Sequence, residues 1–235
     1  MISSLNSLRK IKYKDAGELF DLCKEHDYGA NAILQEIIED KIRFYMLHGR
    51  DNMRQIFIDR YNKKNYSGAV TLFSNFNSLA KEYFCCLTFD KIAKKDWSKV
   101  LGEVYTMENY WSSFQRLLSD EDIVKLFAHA NKNNLMNKSE LKMLNSLPDT
   151  FTIYRGYADQ SIKIGFSWSL SKEVAKFFAH RYNKSSIITT TAKKEDVLVY
   201  FNRREEDEII INPANISGEV IEKRLRKMNK KTIEN

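Results

Sequence analysis

Apolar residues recur every three or four positions through most of the chain before Leu147. Between Gly29 and Leu47 this period places them in a single stripe along one side of a helix. A further stripe with the same period runs from Asp96 to Leu118. The two prolines of the chain are Pro148 and Pro213, so this part contains no proline to interrupt a helix. The pattern therefore predicts a largely helical region up to about Leu147.

Two local signals locate helix boundaries within that region. Ser119, followed three positions later by Asp122, predicts an N-cap at the start of a helix. The segment from His129 to Glu140 has the length and the final glutamate of a calcium-binding loop between helices. Its other ligand positions lack carboxylates, however, and Asn134 replaces the glycine that the sharp turn of such a loop requires. We therefore interpret this segment as a turn between helices.

Beyond the first proline the pattern changes to that of β-strands. Runs rich in β-branched and aromatic residues alternate with turns, and one helix over residues 171–182 interrupts them. We expect Ser171 to cap that helix. Its buried edge should be formed by Val174, Phe177 and Phe178. The predicted strands cover residues 150–156, 162–170, 185–192, 196–201 and 207–212. Helices followed by strands in one chain predict an α+β fold.

The composition is that of a folded protein. Of 235 residues, 43% are hydrophobic and 12% aromatic, which is enough apolar side chain for a substantial core. No apolar run approaches the roughly 20 residues that a membrane-spanning helix needs. The opening sequence, MISSLNSLRKIKYKD, lacks the apolar stretch of a secretory signal. We therefore expect a cytoplasmic protein with no membrane partner.

Cysteine and histidine give no metal-binding pattern. The cysteines are Cys23 and the adjacent pair Cys85 and Cys86, and their odd number and spacing match no zinc motif. The four histidines are widely separated in the sequence. We expect the thiols to be buried and reduced, and we expect no metal cofactor.

Positive charge is concentrated at the C-terminal end. The chain has a formal net charge of +7, and residues 221–235 contain much of it. This basic tail could contact the phosphates of a nucleic acid or an acidic partner. A solvated chain end is the simpler interpretation of a segment this short. The basic residues of the tail are Lys223, Arg224, Arg226, Lys227, Lys230 and Lys231.

Two short motifs in the strand region contain residue types that bind ligands. Arg155 lies late in an apolar run and is followed by Gly156, beside which another molecule can approach the backbone closely. Ser167 and Ser169 flank Trp168, and strand alternation places the two hydroxyls on one face. Each motif also has a purely structural explanation, since arginines commonly pair with carboxylates and serines commonly cap helices.

A third motif is the acidic cluster between two predicted strands, in the sequence VLVYFNRREEDEIIINP. Glu206 and Glu208 lie two residues apart and face the same side if the second strand begins early. A carboxylate pair on one face can hold a hydroxyl and accept a proton, as acid–base chemistry requires. A solvated hairpin loop would explain the same charges, although Glu208 directly precedes three isoleucines.

The order of these motifs resembles that of the mono-ADP-ribosyltransferases of the arginine-serine-glutamate class. The signatures of that family are an aromatic-Arg-Gly strand, a Ser-Thr-Ser strand and a Glu-x-Glu strand, and the resemblance covers about residues 150–213. Trp168 replaces the usual threonine, and the acidic run allows more than one register of Glu-x-Glu. Glu208 is chosen as the final glutamate because the apolar strand follows it. The matching segments are Tyr154-Arg155-Gly156, Ser167-Trp168-Ser169 and Glu206-Asp207-Glu208.

The resemblance implies an enzyme that breaks the bond between nicotinamide and ribose in NAD and transfers ADP-ribose to an acceptor. In such an enzyme Glu208 would stabilise the cationic sugar, as a carboxylate does in other glycosyl transfers. Glu206 would orient or deprotonate the acceptor. Arg155 and Ser167 would complete the catalytic set, with Ser167 bracing Glu208.

The same resemblance implies the residues that bind NAD, which acts as a co-substrate. Arg155 would bind the diphosphate or ribose side, and Gly156 would lend backbone hydrogen bonds to the carboxamide. Ser167, Trp168 and Ser169 complete the expected cofactor-binding set. Trp168 is also a candidate for stacking on nicotinamide, although aromatic residues at this spacing more often belong to a core.

The resemblance further divides the chain by role. Residues 96–220 would form an ADP-ribosyltransferase-like β-sandwich core, in which helices from Asp96 onward cover the sheet. Residues 1–95 would be a helical region that recognises the target or stabilises the fold. Residues 221–235 are the basic tail.

Three functional interpretations stay open on the sequence. The first is transfer of ADP-ribose to a macromolecular acceptor, either a protein side chain such as arginine or a nucleic acid. The second is NAD glycohydrolase activity, in which water replaces the acceptor. The third is a non-catalytic basic helical protein that binds nucleic acid. The family resemblance alone would allow a toxin or virus-encoded modifier with a neutralising partner protein.

Overall fold

The computed structural model describes residues 4–27, 42–73, 78–107, 112–158, 164–180, 185–216 and 218–224. Residues 29–41 of the predicted apolar stripe between Gly29 and Leu47 lie outside these ranges. The remainder of the stripe falls within the helix Ile42–Asn62. None of the helices in the described ranges combines the length and the apolar character needed to cross a membrane.

The chain forms two compact units, Met1–Leu135 and Met136–Asn235. The helices between Asp96 and His129, which the sequence analysis grouped with the catalytic core, fall within the first unit. The predicted boundary near residue 95 separates functional roles, whereas the two compact units divide after Leu135. The division of roles stays a prediction.

The first unit is helical, as the apolar period predicted. Asp15 caps one of its helices by accepting a hydrogen bond from the backbone N–H of Glu18 at 2.9 Å. Ser119 does the same for Asp122 at 3.3 Å, which confirms the predicted N-cap. Among the described residues of this unit, the helices are Leu5–Lys10, Ala16–Lys24, Ile42–Asn62, Tyr66–Val70, Ala80–Leu87, Lys94–Met107, Ser112–Leu117, Asp120–His129 and Lys132–Leu135.

The core of this unit combines aliphatic side chains with aromatic rings and the three thiols. Trp97 is fully buried, and its indole N–H donates to the carbonyl oxygen of Cys85 at 2.8 Å. All three cysteines are buried and form no disulfide, as expected. Burial raises the pKa of the Cys23 and Cys85 thiols well above the usual value, because the thiolate would lose its hydration.

The second unit opens with the helix Lys138–Ser146. Its first turn is a capping box, in which Asn137 accepts from the backbone of Glu140 and the Glu140 carboxylate accepts from the backbone of Asn137. The segment before it also contains the single-turn helix Lys132–Leu135. The turn predicted between His129 and Glu140 is therefore partly helical.

The described strands are β1 (Thr150–Ala158), β2 (Ser167–Ser169), β3 (Ser185–Lys193), β4 (Val197–Phe201), β5 (Glu208–Ile211) and β6 (Ile221–Arg224). They form one antiparallel sheet in the order β4-β5-β2-β1-β3-β6. The mixture of helices and this sheet confirms the α+β class, whereas the second sheet of the expected β-sandwich is not found among the described residues. Short 3₁₀ turns at Lys194–Asp196 and Pro213–Asn215 connect strands.

Strand β6 was not predicted from the sequence. Its four residues are exposed and three of them are charged, so they show none of the alternation that signals a half-buried strand. They form an edge strand because their backbone pairs with β3, from Ser186–Arg224 to Thr189–Ile221. The beginning of the basic tail is therefore part of the sheet rather than a solvated end.

The helix Lys172–His180 packs on the sheet through small residues. Ala175 and Ala179 are buried with Ile187, whereas Phe177 is 63% exposed. The predicted buried edge was therefore wrong for Phe177, whereas Val174 and Phe178 are half-buried. Ala175 and Ala179 face inward because their small side chains let the helix backbone approach the sheet closely, and larger side chains would hold the helix away.

Candidate active site

The three sequence motifs meet where two parts of the sheet join. Strand β1 pairs with β3 along its full length, but with β2 only through the register pair Tyr154–Ser169. Strand β2 then pairs with β5, where Ser169 faces Glu208. Arg155 on β1 thereby lies beside Ser167, and the pairing of β2 with β5 places Glu208 on the other side of the same strand.

Glu208 is a buried carboxylate at the start of an apolar strand. Glu208 is 6% exposed, and the three isoleucines that follow it are fully buried. The hydroxyl of Ser167 donates to Oε1 of Glu208 at 2.5 Å. Ser167 faces Ile210 in the register, so this bond runs diagonally across one face of the sheet. The bond fixes the carboxylate, as the motif resemblance implied.

Arg155 is held beside the same serine. Its Nη1 donates to the backbone carbonyl oxygen of Ser167 at 2.6 Å, and the side chain is half-buried. Gly165 makes room for the guanidinium, because a Cβ at this position would lie 2.9 Å from Nη2 of Arg155. Gly165 was not predicted from the sequence to be a functional residue. The glycine that opens GFSWSLS was the available signal for such a close approach.

Ser169 organises the backbone around the site. Its hydroxyl donates to the carbonyl oxygen of Glu206 at 2.7 Å and accepts from the N–H of Ser171 at 2.9 Å. The Ser171 hydroxyl in turn accepts from the N–H of Val174 at 3.3 Å, so Ser171 caps the helix as predicted. Ser169 thus connects the acidic loop to the start of that helix, and its predicted contact with NAD stays a prediction.

Trp168 points to the opposite face of β2 and is 2% exposed. Its indole N–H donates to the carbonyl oxygen of Gly165 at 2.7 Å. Strand alternation explains this orientation, because a side chain between Ser167 and Ser169 must face away from both of them. The expected contact of Trp168 with NAD, including stacking on nicotinamide, stays a prediction.

Gly156 has a structural role that the sequence did not reveal. A Cβ at this position would lie 2.0 Å from the carbonyl oxygen of Ala175 and 2.5 Å from the backbone nitrogen of Ala179. The helix Lys172–His180 therefore rests directly on the backbone of β1. This packing alone accounts for a glycine after Arg155, and the expected hydrogen bonds of Gly156 to a carboxamide stay a prediction.

The loop between β4 and β5 gives each acidic residue a different environment. Asp207 accepts from the hydroxyl of Tyr200 at 2.6 Å, and its backbone N–H donates to Oδ1 of Asn202 at 3.0 Å. Burial, followed by this bond to Asp207, raises the pKa of Tyr200 above its usual value. Glu205 and Asp207 have φ angles of 58° and 45°, in the left-handed region. The loop is therefore a specific turn rather than a loose solvated connection.

Glu140 anchors the other side of this loop. Its carboxylate is buried, and Oε1 accepts from the backbone N–H of Asn202 at 3.1 Å while Oε2 accepts from Asn137 at 2.7 Å. Nε of Arg203 lies 3.4 Å from Oε1 of Glu140. The sequence analysis included Glu140 only in a rejected calcium loop, and no local signal connects it with residues about sixty positions later.

Arg204 contacts the predicted catalytic carboxylates from within the loop. Its Nη2 lies 2.8 Å from Oε2 of Glu206 and 3.8 Å from Oε2 of Glu208. Its Nε also donates to Oε2 of Glu206 at 3.2 Å. Glu206 and Glu208 thus share a cationic partner, which the sequence analysis did not identify as a site residue.

Within the described residues, no group of three or more histidine, cysteine, aspartate or glutamate side chains is placed to hold a metal ion. Comparison of the chain with protein-family models, curated proteins and solved structures gave no match.

Proposed function

We propose that the protein is an NAD-dependent ADP-ribosyltransferase that releases nicotinamide and transfers ADP-ribose to a macromolecular acceptor. The observation that supports this proposal most strongly is the convergence of Arg155, Ser167 and Glu208. Arg155 bonds to the Ser167 carbonyl at 2.6 Å, and the Ser167 hydroxyl bonds to Glu208 at 2.5 Å. A guanidinium, a hydroxyl and a buried carboxylate from three strands are thereby held within one site.

Glu208 would supply electrostatic stabilisation. Cleavage of the bond between nicotinamide and ribose develops positive charge on the sugar. A carboxylate that is already oriented by Ser167 would oppose that charge without reorganising, and such preorganised groups typically contribute about 3 kcal/mol or more. The same carboxylate would accept a hydrogen bond from the ribose 2′-hydroxyl.

Arg155 would bind the anionic part of NAD. A guanidinium presents several donors in a planar fork, which suits a diphosphate or a pair of ribose oxygens. Its bond to the Ser167 carbonyl and its position against Gly165 limit the orientations that this fork can take. The nucleotide and the reacting sugar would therefore be positioned from one side by Arg155 and from the other by Glu208.

Glu206 would act on the acceptor. Its carboxylate lies two residues before Glu208 in the loop and belongs to the same ion-pair group with Arg204. From this position it could orient a nucleophile and accept its proton. If Glu206 has this role, Glu206→Ala should reduce transfer of ADP-ribose more than it reduces hydrolysis of NAD.

The proposal is tested with purified protein, NAD labelled in the adenylate part and a cell lysate as a source of acceptors. We expect release of nicotinamide and label in macromolecules, and treatment with protease or nuclease will show which polymer carries the label. Nicotinamide release without labelled product would instead establish NAD hydrolysis. No release of nicotinamide would contradict both enzymatic functions and leave nucleic-acid binding as the alternative.

The matched variants are Glu208→Gln and Glu205→Gln. Glu208→Gln removes the charge at the buried carboxylate and should lower nicotinamide release by about 10²- to 10³-fold. Glu205 is exposed and belongs to the same loop, so Glu205→Gln controls for a general loss of negative charge. Equal rates in the wild type and Glu208→Gln, with circular dichroism unchanged, would reject the assigned role of Glu208.

A further inference from the structure

We propose that the enzyme transfers ADP-ribose to its own Arg204, an inference that rests on the proposed NAD chemistry. Arg204 is a nucleophile-bearing side chain located directly at the two carboxylates that would carry out the reaction. Its guanidinium contacts Glu206 at 2.8 Å through Nη2 and at 3.2 Å through Nε. The position assigned to an incoming acceptor is thus already occupied by a side chain of this chain.

The distance from Arg204 to Glu208 places the guanidinium near the sugar. Nη2 of Arg204 lies 3.8 Å from Oε2 of Glu208. A ribose 2′-hydroxyl bound to Glu208 would lie about 2.7 Å from the carboxylate, and the anomeric carbon is two bonds beyond that oxygen. The guanidinium nitrogen would therefore be within a few ångströms of the reacting carbon, where attack within one molecule has a high effective concentration.

The loop presents Arg204 in a defined geometry. Asn202 is anchored to Glu140, and Asp207 is anchored to both Asn202 and Tyr200. Arg204 lies between these anchors, so the chain on both sides of it is restrained. A restrained nucleophile loses little conformational freedom in reaching the transition state, which favours transfer within the molecule.

Arg203 provides a natural contrast. It is adjacent to Arg204, but its Nε lies 3.4 Å from Glu140, and its guanidinium lies over the ring of Phe201 at 5.2 Å from the centroid. The ion pair of Arg203 is with Glu140, whereas Arg204 pairs with Glu206 and Glu208. Two neighbouring arginines therefore have the same chemistry but different positions relative to the site.

The proposed step is balanced without a further reactant. The bond between C1′ of the ribose and the ring nitrogen of nicotinamide breaks, and its electron pair remains on that nitrogen, so nicotinamide leaves as a neutral molecule. A new bond joins C1′ to a terminal guanidinium nitrogen of Arg204. Glu206 accepts the proton that this nitrogen loses and passes it to water. The product is ADP-ribosylated Arg204, free nicotinamide and one proton.

The test incubates the full chain with NAD alone, in the absence of any other acceptor. Peptides are then mapped by mass spectrometry while nicotinamide release is measured in parallel. We expect one ADP-ribosyl group on Arg204 and none on Arg203. The fraction modified per unit time should not change when the protein is diluted, because the reaction occurs within one molecule. Arg203→Lys should retain the modification and Arg204→Lys should lose it.

Nicotinamide release with unmodified Arg204 would overturn this inference and leave the proposed function standing. A modification rate that falls on dilution would also overturn it, because the transfer would then occur between molecules. No nicotinamide release would contradict the inference together with the proposed function. The wild-type peptide map decides the matter even if Arg204→Lys fails to fold.

Discussion

The backbone of Gly156 lies against the carbonyl group of Ala175 so closely that an added Cβ would be 2.0 Å from the carbonyl oxygen. This contact joins strand β1 to the helix Lys172–His180, whose N-terminal cap follows the Ser-x-Ser strand. The glycine of the motif therefore determines how close the helix and the sheet can lie, in addition to any role in binding NAD.

Gly156→Ala should destabilise the second unit. The added methyl group meets backbone atoms rather than the flexible end of a side chain, so relief requires the helix or strand to move. We expect a loss of about 1 to 3 kcal/mol, which urea unfolding can measure. Thr152→Ala, at an exposed position of the same strand, is the control and should change stability little. Similar unfolding midpoints for Gly156→Ala and wild type would contradict the packing argument.

Ser167→Ala should reduce catalysis more than stability. The variant removes the hydrogen bond to the Glu208 carboxylate, and bonds to charged groups contribute about 1.5 to 3 kcal/mol. If that energy orients Glu208 in the transition state, kcat for nicotinamide release should fall by about 10- to 100-fold. Ser167→Thr keeps the hydroxyl and should retain most of the activity. Equal activity of the alanine variant and wild type would show that Ser167 does not position Glu208.

Glu140→Ala should loosen the loop that carries Glu206. The change removes hydrogen bonds from the backbone of both Asn137 and Asn202, which are otherwise accepted by one buried carboxylate. We expect a loss of about 3 kcal/mol in the free energy of unfolding. Glu140→Gln keeps one carbonyl oxygen and should lose less. A reverse order of the two variants in urea unfolding would contradict the proposed anchoring.

The helical unit should lose stability as the pH falls through the range in which histidine titrates. Burial lowers the pKa of His129, with a further contribution from Lys94, and its ring lies 4.1 Å from that of Phe89. The unfolded chain takes up a proton near pH 6.5, whereas the folded chain resists protonation until a lower pH. Protonation therefore favours the unfolded state, and stability decreases below about pH 6.5.

Urea unfolding of the wild type and His129→Gln at pH 7.5 and 5.5 measures this effect. The variant should be less stable at both values, because it loses ring packing, but its stability should depend less on pH. Tryptophan fluorescence is a suitable probe, since Trp97 lies 5.3 Å from the His129 ring. The same pH dependence in both proteins would assign the effect to other groups, such as His26, whose pKa burial also lowers.

The sequence determined the local elements well wherever side chains alternate or recur with a clear period. The helices, the Ser119 and Ser171 caps and strands β1, β3, β4 and β5 all follow from such patterns. It also determined the order of the Arg, Ser-x-Ser and Glu-x-Glu motifs. Each helix, cap, strand and motif depends mainly on residues close to it in the sequence, so each can be recognised within its own segment.

The tertiary structure alone decided which of these residues meet. The single pair between β1 and β2, the buried position of Trp168 and the anchoring of the loop by Glu140 depend on strand register and on contacts between distant segments. Strand β6 forms because β3 supplies a partner for its backbone, although its side chains carry no strand pattern. Arg204 contacts Glu206 and Glu208 within a loop in which Glu205 and Asp207 adopt left-handed backbone angles. A local periodicity cannot specify such geometry, since it depends on where the rest of the chain lies.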